Sequence, residues 1–287
     1  MRWGPRYVRK ARRLGILPRK ERRRLMWYGQ RVAVVFPAYN EEKNIAQAID
    51  DFFAAGGGTI VDDVFAVDNN SRDRTAELIK GTRATYVLET KQGYGNALQR
   101  GLAEASRSGA ELIVMAEPDG TFAGKDVMKL LAFADDFDLV LGTRTTPELI
   151  WQEANMGRFL RWGNWAVAKF LQVLHDGPSL SDCGCTLRLV HANAYRVFAG
   201  NLTVGASHFL PEMVCLALAS GMRLIEIPVN YRGRVGESKI TGSLNTTLRV
   251  GTRMILLIIG YWLKRRFGYG AIDPLPVGPR RPIHTLR

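Results

Sequence analysis

Short apolar runs alternate with amphipathic segments through the first half of the chain. Uninterrupted apolar runs predict covered strands over residues 31–36, 64–67, 85–88, 112–116 and 139–142. Apolar positions spaced three and four apart predict helices over residues 44–55 and 93–108, and Ser71 or Asp73 is expected to cap a further helix. Because strands and helices alternate, the pattern predicts an α/β fold with a doubly wound, mostly parallel sheet.

The pattern changes after residue 145. Residues 158–174 and 209–219 are predicted to be helical, and residues 224–229 are predicted to form a further strand. Residues 181–188 form a polar loop of small residues, and residues 231–239 form a basic loop that contains glycine. These segments add to the sheet of the first half without repeating its sequence.

Two carboxylates, Glu117 and Asp119, follow the fourth predicted strand directly. Pro118 favours an extended conformation in the residue before it, and residues two apart in an extended chain point the same way. Paired carboxylates at the carboxyl end of a buried strand suit a hard divalent cation that also holds a diphosphate. The alternative is a polar turn, since Pro-Asp-Gly is also a common turn sequence.

The formal charge of +13 is concentrated at the amino end of the chain. Residues 1–24 contain eleven Lys and Arg against the single acid Glu21, so they carry +10, and the remaining chain carries +3. A basic arm on a nearly balanced body indicates an anionic partner, either lipid headgroups or nucleic acid. No nucleic-acid-binding module accompanies the arm, so an anionic membrane surface is favoured and nucleic acid is not expected as a partner. A solvated tail is the remaining alternative.

The longest apolar run covers residues 254–263 and is flanked by basic residues on both sides. It has only about half of the roughly 20 residues that a spanning helix needs. We therefore expect it to lie in the membrane interface, or to pack on the protein as a buried terminal helix. No apolar segment of a secretory signal follows the basic N-terminus, so we expect a peripheral protein at the cytoplasmic face of the membrane.

Composition completes the predicted organisation of the chain. A hydrophobic content of 46% is sufficient for a packed core. Cys183, Cys185 and Cys215 are odd in number and lack the spacing of a disulfide framework or a zinc site, which favours a reducing compartment. The predicted divisions are a basic amphipathic arm over 1–30, a catalytic domain over 31–239, amphipathic C-terminal helices over 240–268 and a tail over 269–287.

Seven short motifs occur in an order that resembles one family. They are PAYNEE (37–42), DNNSRDRT (68–75), KQGYGNALQRG (91–101), EPDGT (117–121), GTR (142–144), DCGCTLR (182–188) and YRGRVGESK (231–239). Together they resemble the family 2 glycosyltransferases of the GT-A fold, and within them the polyprenyl-phosphate sugar transferases typified by dolichol-phosphate mannose synthase. The resemblance covers roughly residues 32–239.

The resemblance implies a nucleotide-diphosphate sugar as the donor, with Mg²⁺ or Mn²⁺ at the leaving diphosphate. Asp119 matches the main metal-binding acid, Glu117 matches the first acid of the usual pair, and Asp68 matches the acid that holds base or ribose. Asn69 stands where many members carry a second aspartate. The other donor-side residues that the motifs imply are Pro37, Tyr39, Asn40, Glu41, Lys91 and Gly93.

The resemblance also implies an acceptor site. Arg144 and Arg158 match arginines that bind an acceptor phosphate, and Arg188 lies in another motif of the substrate site. The loop expected to close over the diphosphate and the acceptor phosphate contributes Arg232, Arg234, Ser238 and Lys239. A phosphate acceptor needs no strong base, whereas a hydroxyl acceptor requires one, for which Asp182 or Glu212 is the candidate.

These features predict an inverting transferase that moves a sugar from a nucleotide-diphosphate donor to a polyprenyl phosphate. The alternatives are a soluble transferase that acts on a hydroxyl, a basic nucleic-acid-binding protein, and an inactive relative, as the departures at Glu117 and Asn69 suggest. A homo-oligomer formed by paired terminal helices is a further possibility.

Overall fold

A seven-stranded sheet organises the computed structural model, which describes residues 27–151, 154, 158–234 and 244–268, without the side chains of 158–160 and 244–247. The strand order is β3-β2-β1-β4-β6-β5-β7. The strands are β1 Val32–Ala38, β2 Asp63–Asp68, β3 Thr85–Leu88, β4 Leu112–Met115, β5 Leu139–Thr143, β6 Arg188–His191 and β7 Leu224–Pro228. Only β6 runs antiparallel to its neighbours within this sheet. The predicted α/β class and mostly parallel sheet are therefore confirmed.

Helices cover both faces of the sheet. They are α1 Ile45–Phe53, α2 Thr75–Lys80, α3 Tyr94–Arg107, α4 Val127–Leu131, α5 Arg158–Leu174, α6 Ala192–Phe198, α7 Phe209–Ala219 and α8 Leu244–Arg266. Successive residues of β1 enter opposite core layers: Val34 packs on the α1 and α4 side, and Val35 packs on the side of α3 and α7. This alternation follows from the two-residue repeat of a strand, and the apolar runs are continuous because both faces are covered.

Most predicted elements agree with the structure within one or two residues, but α4, β6 and α6 were missed. The loop predicted over residues 181–188 leads directly into β6, and α6 follows it. Strand β6 lies between β4 and β5, where Leu189 is paired with both Val114 and Val140. An antiparallel strand of four residues after a polar loop gives too short an apolar run to be recognised.

The terminal helix α8 packs on the protein with one of its faces. Ile258 is fully buried in the core layer shared with α5 and α7, and its carbonyl oxygen lies 3.0 Å from Nε2 of His175. Leu256, on the other face, remains 63% exposed. Among the described residues, no helix is both long enough and apolar enough to cross a membrane. Residues 254–263 were expected either to lie in the membrane interface or to pack on the protein. The structure shows packing on the protein for one face of the helix.

Other predicted segments lie partly or wholly outside the described residues. The basic arm is described only from residue 27, and the tail over 269–287 is not described. The predicted division of the chain at residues 30, 239 and 268 therefore stays a prediction. The three cysteines are buried and free, in agreement with the prediction that they form no disulfide framework.

Candidate active site

The loops that follow β1 and β2 are interlocked by hydrogen bonds. The amide of Asn40 donates to Oγ of Ser71 (3.0 Å), and Oδ1 of Asn40 accepts from the amide of Arg72 (2.9 Å). The amide of Glu41 donates to Oγ1 of Thr75 (2.8 Å). Asn40 has φ 53°, a left-handed conformation that asparagine tolerates better than most residues. The first loop, which follows Pro37 and includes Tyr39, is thereby fixed against the start of α2.

Asp68 ends β2, Asn69 follows it, and both are buried. Oδ1 of Asp68 accepts from the amide of Ser71 (3.0 Å), and Oδ2 accepts from the hydroxyl of Tyr86 (3.3 Å). The carboxylate of Asp68 is thus oriented at the same sheet edge as the loop that contains Asn40. Burial, followed by the nearby charge of Asp68, raises the pKa of Tyr86, so this hydroxyl remains a donor to Asp68 at neutral pH.

The side chain of Asn69 holds the loop that leads to α3. Its amide group donates to the carbonyl oxygens of Glu89 (3.0 Å) and Lys91 (2.9 Å), and its oxygen accepts from the amide of Gly93 (2.7 Å). Lys91 itself is exposed at this loop. Gly93 has φ 145°, and a Cβ there would lie 2.3 Å from the carbonyl oxygen of Gly205. Only glycine fits this conformation and this contact.

Asp119 lies just beyond the end of β4 and is only 1% exposed. Its Oδ1 accepts from both the amide (3.0 Å) and the hydroxyl (2.5 Å) of Thr121. Its Oδ2 has no hydrogen-bond partner, although Nε of Arg234 lies 3.3 Å away. Since buried carboxylate oxygens are normally satisfied, this atom is available to a cation or another ligand.

The longer side chain of Glu117 reaches a pair of hydroxyl groups. Its Oε1 accepts from Tyr94 (3.1 Å), at the start of α3, and from Thr186 (2.7 Å), in the loop before β6. The two hydroxyl oxygens are 2.5 Å apart. Burial and then the negative charge of Asp119 raise the pKa of Glu117 to about 7. The extra methylene relative to aspartate therefore anchors the carboxyl group in a pocket of hydroxyl groups.

These two acids fit a hard divalent cation. Asp119 offers an unpartnered buried oxygen, and Glu117 adds a second carboxyl group beside it. The described part of the chain contains no cluster of three or more such side chains that could hold a metal by themselves. Mg²⁺ is commonly held by one or two carboxylates together with substrate phosphates, so this donor set is suitable for a cation that binds with a diphosphate.

Arg144, which follows β5, is held by Asp182. Its Nε lies 2.7 Å from Oδ2 and its Nη2 lies 2.9 Å from Oδ1 of that carboxylate, which is fully buried. Burial alone would lower the pKa of Arg144, but the Asp182 charge keeps it well above its usual value. Asp182 is in turn positioned by Glu226 of β7, which accepts from its amide (2.8 Å). Asp182 therefore fixes the guanidinium of Arg144 in place, and both of its own oxygens are engaged by this contact.

Arg232 and Arg234 approach the site from the segment after β7. The amide of Arg232 donates to the carbonyl oxygen of Thr121 (2.9 Å), and its guanidinium lies 5.1 Å from the ring centre of Trp151. Nε of Arg232 is buried without a hydrogen-bond partner. Nη2 of Arg234 lies 3.6 Å from Oε1 of Glu41. Both arginines therefore lie close to the loop that carries Asp119.

Two predicted site residues are placed elsewhere. Arg188 is fully buried in β6, where its described hydrogen bonds go to the carbonyl oxygens of Cys183, Cys185 and Leu210. Burial lowers the pKa of Arg188. Glu212, a candidate base for a hydroxyl acceptor, is fully buried in the first turn of α7. It accepts from Thr203 and Val204, and from the hydroxyl of Tyr261 in α8 (2.8 Å). Both residues therefore support the structure around the site.

Three further predictions cannot be compared with the geometry. Ser238 and Lys239 lie outside the described residues, and the side chain of Arg158, at the first position of α5, is not described. Conversely, Tyr94, Thr186 and Glu226 were not singled out in the sequence. Tyr94 and Thr186 lie inside two of the motifs, but only their tertiary contacts with Glu117 distinguish them from neighbouring residues.

The fold and this edge of the sheet together define a Rossmann-like α/β protein with a polar site at the carboxyl ends of parallel strands. The sequence profile of Glycosyl transferase family 2 matches residues 33–198. An uncharacterised glycosyltransferase of Mycobacterium tuberculosis is 30% identical over 241 residues, which are 82% of this chain and 97% of that protein. The chain therefore belongs to glycosyltransferase family 2 and is an enzyme of the transferase class.

Two other similarities concern the acceptor and the fold. A dolichyl-phosphate hexose transferase of Haloferax volcanii is 28% identical over 210 residues, covering 73% of this chain and 86% of that protein. The crystal structure of glucosyl-3-phosphoglycerate synthase from M. tuberculosis, in complex with Mn²⁺, UDP and phosphoglyceric acid, is similar with a TM-score of 0.63. It is 17% identical and covers 84% of this chain and 82% of its own. The predicted GT-A fold is thereby confirmed.

Proposed function

We propose that this glycosyltransferase inverts the anomeric centre while moving a sugar from a nucleotide-diphosphate donor to a polyprenyl phosphate. The observation that carries the proposal is the unpartnered Oδ2 of Asp119, buried at the edge of the sheet beside Glu117 and Arg234. An acidic pair next to an arginine is suited to a metal-bound diphosphate. The polyprenyl acceptor is supported by the similarity to a dolichyl-phosphate hexose transferase.

The donor is held at the edge formed by β1, β2 and β4. Asp68, oriented by Ser71 and Tyr86, is suited to accept from the N–H or O–H groups of a nucleoside. Asp119 and Glu117 would hold Mg²⁺ or Mn²⁺. When bound, the cation would neutralise charge on the leaving diphosphate. Mn²⁺ and UDP occur together in the structurally similar phosphoglycerate enzyme, which makes this pair a suitable first probe.

The acceptor phosphate is placed near Arg144 and Arg232. Asp182 fixes the guanidinium of Arg144, and Nε of Arg232 is buried without a partner, so both can position an anion. An oxygen of the acceptor phosphate forms the new bond to the anomeric carbon. The bond from that carbon to the diphosphate oxygen breaks, and the nucleoside diphosphate leaves with the electron pair. Since the attacking oxygen is already anionic, positioning and charge neutralisation suffice.

The bonding of the two predicted bases favours a phosphate acceptor over a hydroxyl. Asp182 is engaged by the Arg144 guanidinium through both oxygens, and Glu212 is engaged by Thr203, Val204 and Tyr261. A carboxylate whose oxygens are already engaged in this way is poorly placed to receive a proton from an acceptor hydroxyl, since a general base must reach that proton by a hydrogen bond. A hydroxyl acceptor would have to lose its proton to some other group.

The outer faces of α5 and α8 support a place at an anionic membrane. Trp162 and Trp165 of α5 are exposed and in edge contact with one another, with ring centres 5.6 Å apart. Leu256 and Leu263 of α8 are also exposed, and the last turn of α8 contains three basic residues. Aromatic and apolar side chains combined with cations suit the headgroup region of a bilayer. We place the enzyme at the cytoplasmic face on this ground and on its free cysteines.

Sugar transfer from nucleotide-sugars to undecaprenyl phosphate in vesicles tests this function, with glycerol phosphate and a hydroxyl acceptor assayed in parallel. The Asp119→Asn variant should lose transfer and Mn²⁺-dependent nucleotide binding, while it keeps its unfolding temperature. Asp136→Asn changes an exposed acid in the turn before β5 and should behave as the wild type. Glu117→Gln should lose less than Asp119→Asn.

Three results would contradict the proposal in different ways. Near-wild-type transfer by Asp119→Asn would remove the assigned donor site. Equal transfer to the water-soluble hydroxyl acceptor would favour the soluble alternative, and transfer to glycerol phosphate alone would replace the polyprenyl chain with a small phosphorylated acceptor. Failure to bind or cleave any nucleotide-sugar would support the inactive relative.

A further inference from the structure

Arg234 bridges two carboxylates of the donor site. Its Nε lies 3.3 Å from Oδ2 of Asp119, and its Nη2 lies 3.6 Å from Oε1 of Glu41. Asp119 follows β4 and Glu41 follows β1, so a single guanidinium joins the two central loops of the sheet edge. The arginine side chain is 21% exposed, whereas that of Asp119 is 1% exposed. Arg234 is therefore the group that covers the buried carboxylate from the solvent side.

The same oxygen of Asp119 is needed by a metal ion. Thr121 occupies Oδ1 with two hydrogen bonds, and this leaves Oδ2 as the atom without a hydrogen-bond partner. An isolated buried carboxylate is costly, and the positive charge of Arg234 offsets that cost. A divalent cation bound to Oδ2 would be repelled by a guanidinium held 3.3 Å from that oxygen. Metal and arginine therefore exclude each other from this contact.

We propose that Arg234 occupies the place of the metal ion in the donor-free enzyme and makes metal binding depend on the donor. The inference rests on the proposed function, because it takes Asp119 as a metal ligand. The diphosphate offers Arg234 an alternative anion whose oxygens match its fork of donors. When metal and diphosphate arrive together, Asp119 exchanges arginine for metal and Arg234 exchanges carboxylate for phosphate. Neither charge is left unpaired during this exchange.

The exchange predicts coupling between the two ligands. Metal alone must displace Arg234 without offering it a new partner, so metal alone should bind weakly. Thermodynamic linkage then requires that the nucleoside diphosphate strengthen metal binding by the same factor by which metal strengthens nucleotide binding. Coupling between two binding sites commonly amounts to about 5- to 150-fold. Arg234 thus acquires a role before the reaction as well as during it.

Titration of the full-length protein with Mn²⁺, with free Mn²⁺ followed by electron paramagnetic resonance, tests the inference. Wild type, Arg234→Ala and Arg234→Lys are titrated alone and with saturating UDP or GDP. In the wild type, the nucleotide should strengthen Mn²⁺ binding by about tenfold or more. Arg234→Ala should bind Mn²⁺ alone more tightly than the wild type, and its nucleotide effect should shrink. Arg234→Lys, which keeps the charge but not the fork, should fall between them.

The matched control is Arg74→Ala, which removes an exposed positive charge that follows β2 and pairs with Glu77. Its Mn²⁺ affinity without nucleotide should stay within about twofold of wild type, because the effect of an exposed charge is largely screened by salt. Thermal unfolding of each variant, without ligand, separates altered affinity from loss of structure.

The possible results are decisive. Equal Mn²⁺ affinity of wild type and Arg234→Ala in the absence of nucleotide would overturn the inference while leaving the metal site intact. An equal increase in Mn²⁺ affinity in Arg74→Ala would overturn the inference by showing that any loss of positive charge has this effect. If a chelator leaves nucleotide binding by the wild type unchanged, Arg234 remains beside Asp119 when the nucleotide binds. The proposed exchange with a metal ion would then be wrong. Absence of Mn²⁺ binding in every variant, with nucleotide present, would instead remove the proposed metal site.

Discussion

Asn69 shows how one changed functional group alters the role of a position. The carboxamide donates two hydrogen bonds to the carbonyl oxygens of Glu89 and Lys91 and accepts one from Gly93. An ionised aspartate can accept but cannot donate, so it would face two carbonyl oxygens with its negative charge. The departure from the usual aspartate is therefore matched to the loop that surrounds it, and it gives no support to an inactive relative.

Asn69→Asp should destabilise this protein although it restores the residue that many relatives carry. The carbonyl groups of Glu89 and Lys91 would lose their donor, at about 0.5–1.5 kcal/mol for each partly buried hydrogen bond. Urea unfolding at neutral pH measures the change. Asn70→Asp, at the adjacent exposed position, is the matched control and should unfold near the wild-type midpoint. Equal unfolding of Asn69→Asp and wild type would show that the three bonds contribute nothing to stability.

Thr186 supports Glu117 through a single hydroxyl group. Thr186→Val keeps the shape of the side chain but removes the 2.7 Å bond to Oε1 of Glu117. We expect Mn²⁺ affinity in the presence of nucleotide to fall by roughly 2- to 10-fold, as loss of about 0.5–1.5 kcal/mol implies. Thr186→Ser, which retains the hydroxyl, should restore it. If Mn²⁺ affinity falls equally in both variants, the effect comes from packing and not from the hydroxyl group. If it falls in neither, the hydrogen bond from Thr186 does not support metal binding by Glu117.

At the scale of elements, the interlocked loops after β1 and β2 depend on Asp73. Its Oδ1 accepts from the amide and hydroxyl of Thr75, at the first position of α2, and its Oδ2 accepts from the amide of Glu42. Arg74, rather than Ser71 or Asp73, occupies the N-cap position and makes no side-chain capping hydrogen bond, so the predicted cap is wrong; Asp73 instead binds the first helical residue, Thr75. Partial burial alone would raise the pKa of Asp73, but these bonds lower it below its usual 3.8.

Asp73→Ala should lower the free energy of unfolding by about 1 kcal/mol or more at pH 7, because the hydrogen bonds to Thr75 and to the amide of Glu42 are lost. A carboxylate with a lowered folded pKa stabilises fully above its unfolded pKa of 3.8, and this stabilisation is lost as the pH falls through the folded value. The difference from wild type should therefore shrink below pH 3.8. Urea titrations between acid and neutral pH measure it. A difference that is independent of pH would assign the effect to packing.

Strand β6 marks the limit of what the sequence predicted about the elements. The five strands of the first half are revealed by their apolar runs, because both sheet faces bury them. Strand β6 begins at Arg188, and a buried arginine at its start conceals the strand. Its guanidinium is satisfied by backbone carbonyl oxygens, which are contacts that no local pattern predicts.

The same reason explains the partial prediction of the site. Asp119, Asp68 and Glu41 can be selected as candidates because they follow strands whose carboxyl ends share one edge, and their roles stay predictions. Glu212 is one of two candidate bases for a hydroxyl acceptor, and in the structure it binds the backbone of residues 203–204, which only the tertiary fold brings to it. Position after a strand is readable from a sequence, whereas the partner of a buried polar group is not.

At the scale of the whole molecule, the exposed faces of α5 and α8 are expected to contact lipid. Trp162→Ala with Trp165→Ala should reduce co-sedimentation with anionic vesicles, because both indole rings are exposed on α5 and suit the headgroup region. Deleting residues 1–24 should weaken vesicle binding further, since each basic residue near the membrane surface contributes about 1 kcal/mol to the binding free energy. Binding of all forms should weaken at high salt.

Phe133→Ala is the control for this experiment. Phe133 is also partly exposed, but it follows α4, on the sheet face opposite α5 and α8. Its replacement should leave vesicle binding unchanged. If the full-length protein stays in the supernatant at low salt, the proposed membrane contact is contradicted. If the wild type sediments as a dimer in the ultracentrifuge and the double tryptophan variant does not, the exposed face of α5 binds a second copy of the chain instead.

The bond between Tyr261 and Glu212 limits how α8 can be studied. Glu212 also holds Thr203 and Val204, and the next residue, Gly205, accepts hydrogen bonds from the amides of Gly95 and Asn96 at the start of α3. A protein cut before residue 244 would therefore lose an internal brace under Tyr94 together with any lipid anchor. Defective transfer by such a truncation would have two causes that no assay on it can separate. Substitutions confined to the outward residues Leu256 and Leu263 leave the bond between Tyr261 and Glu212 intact. Among changes to α8, they can therefore separate the loss of lipid attachment from the loss of internal structure.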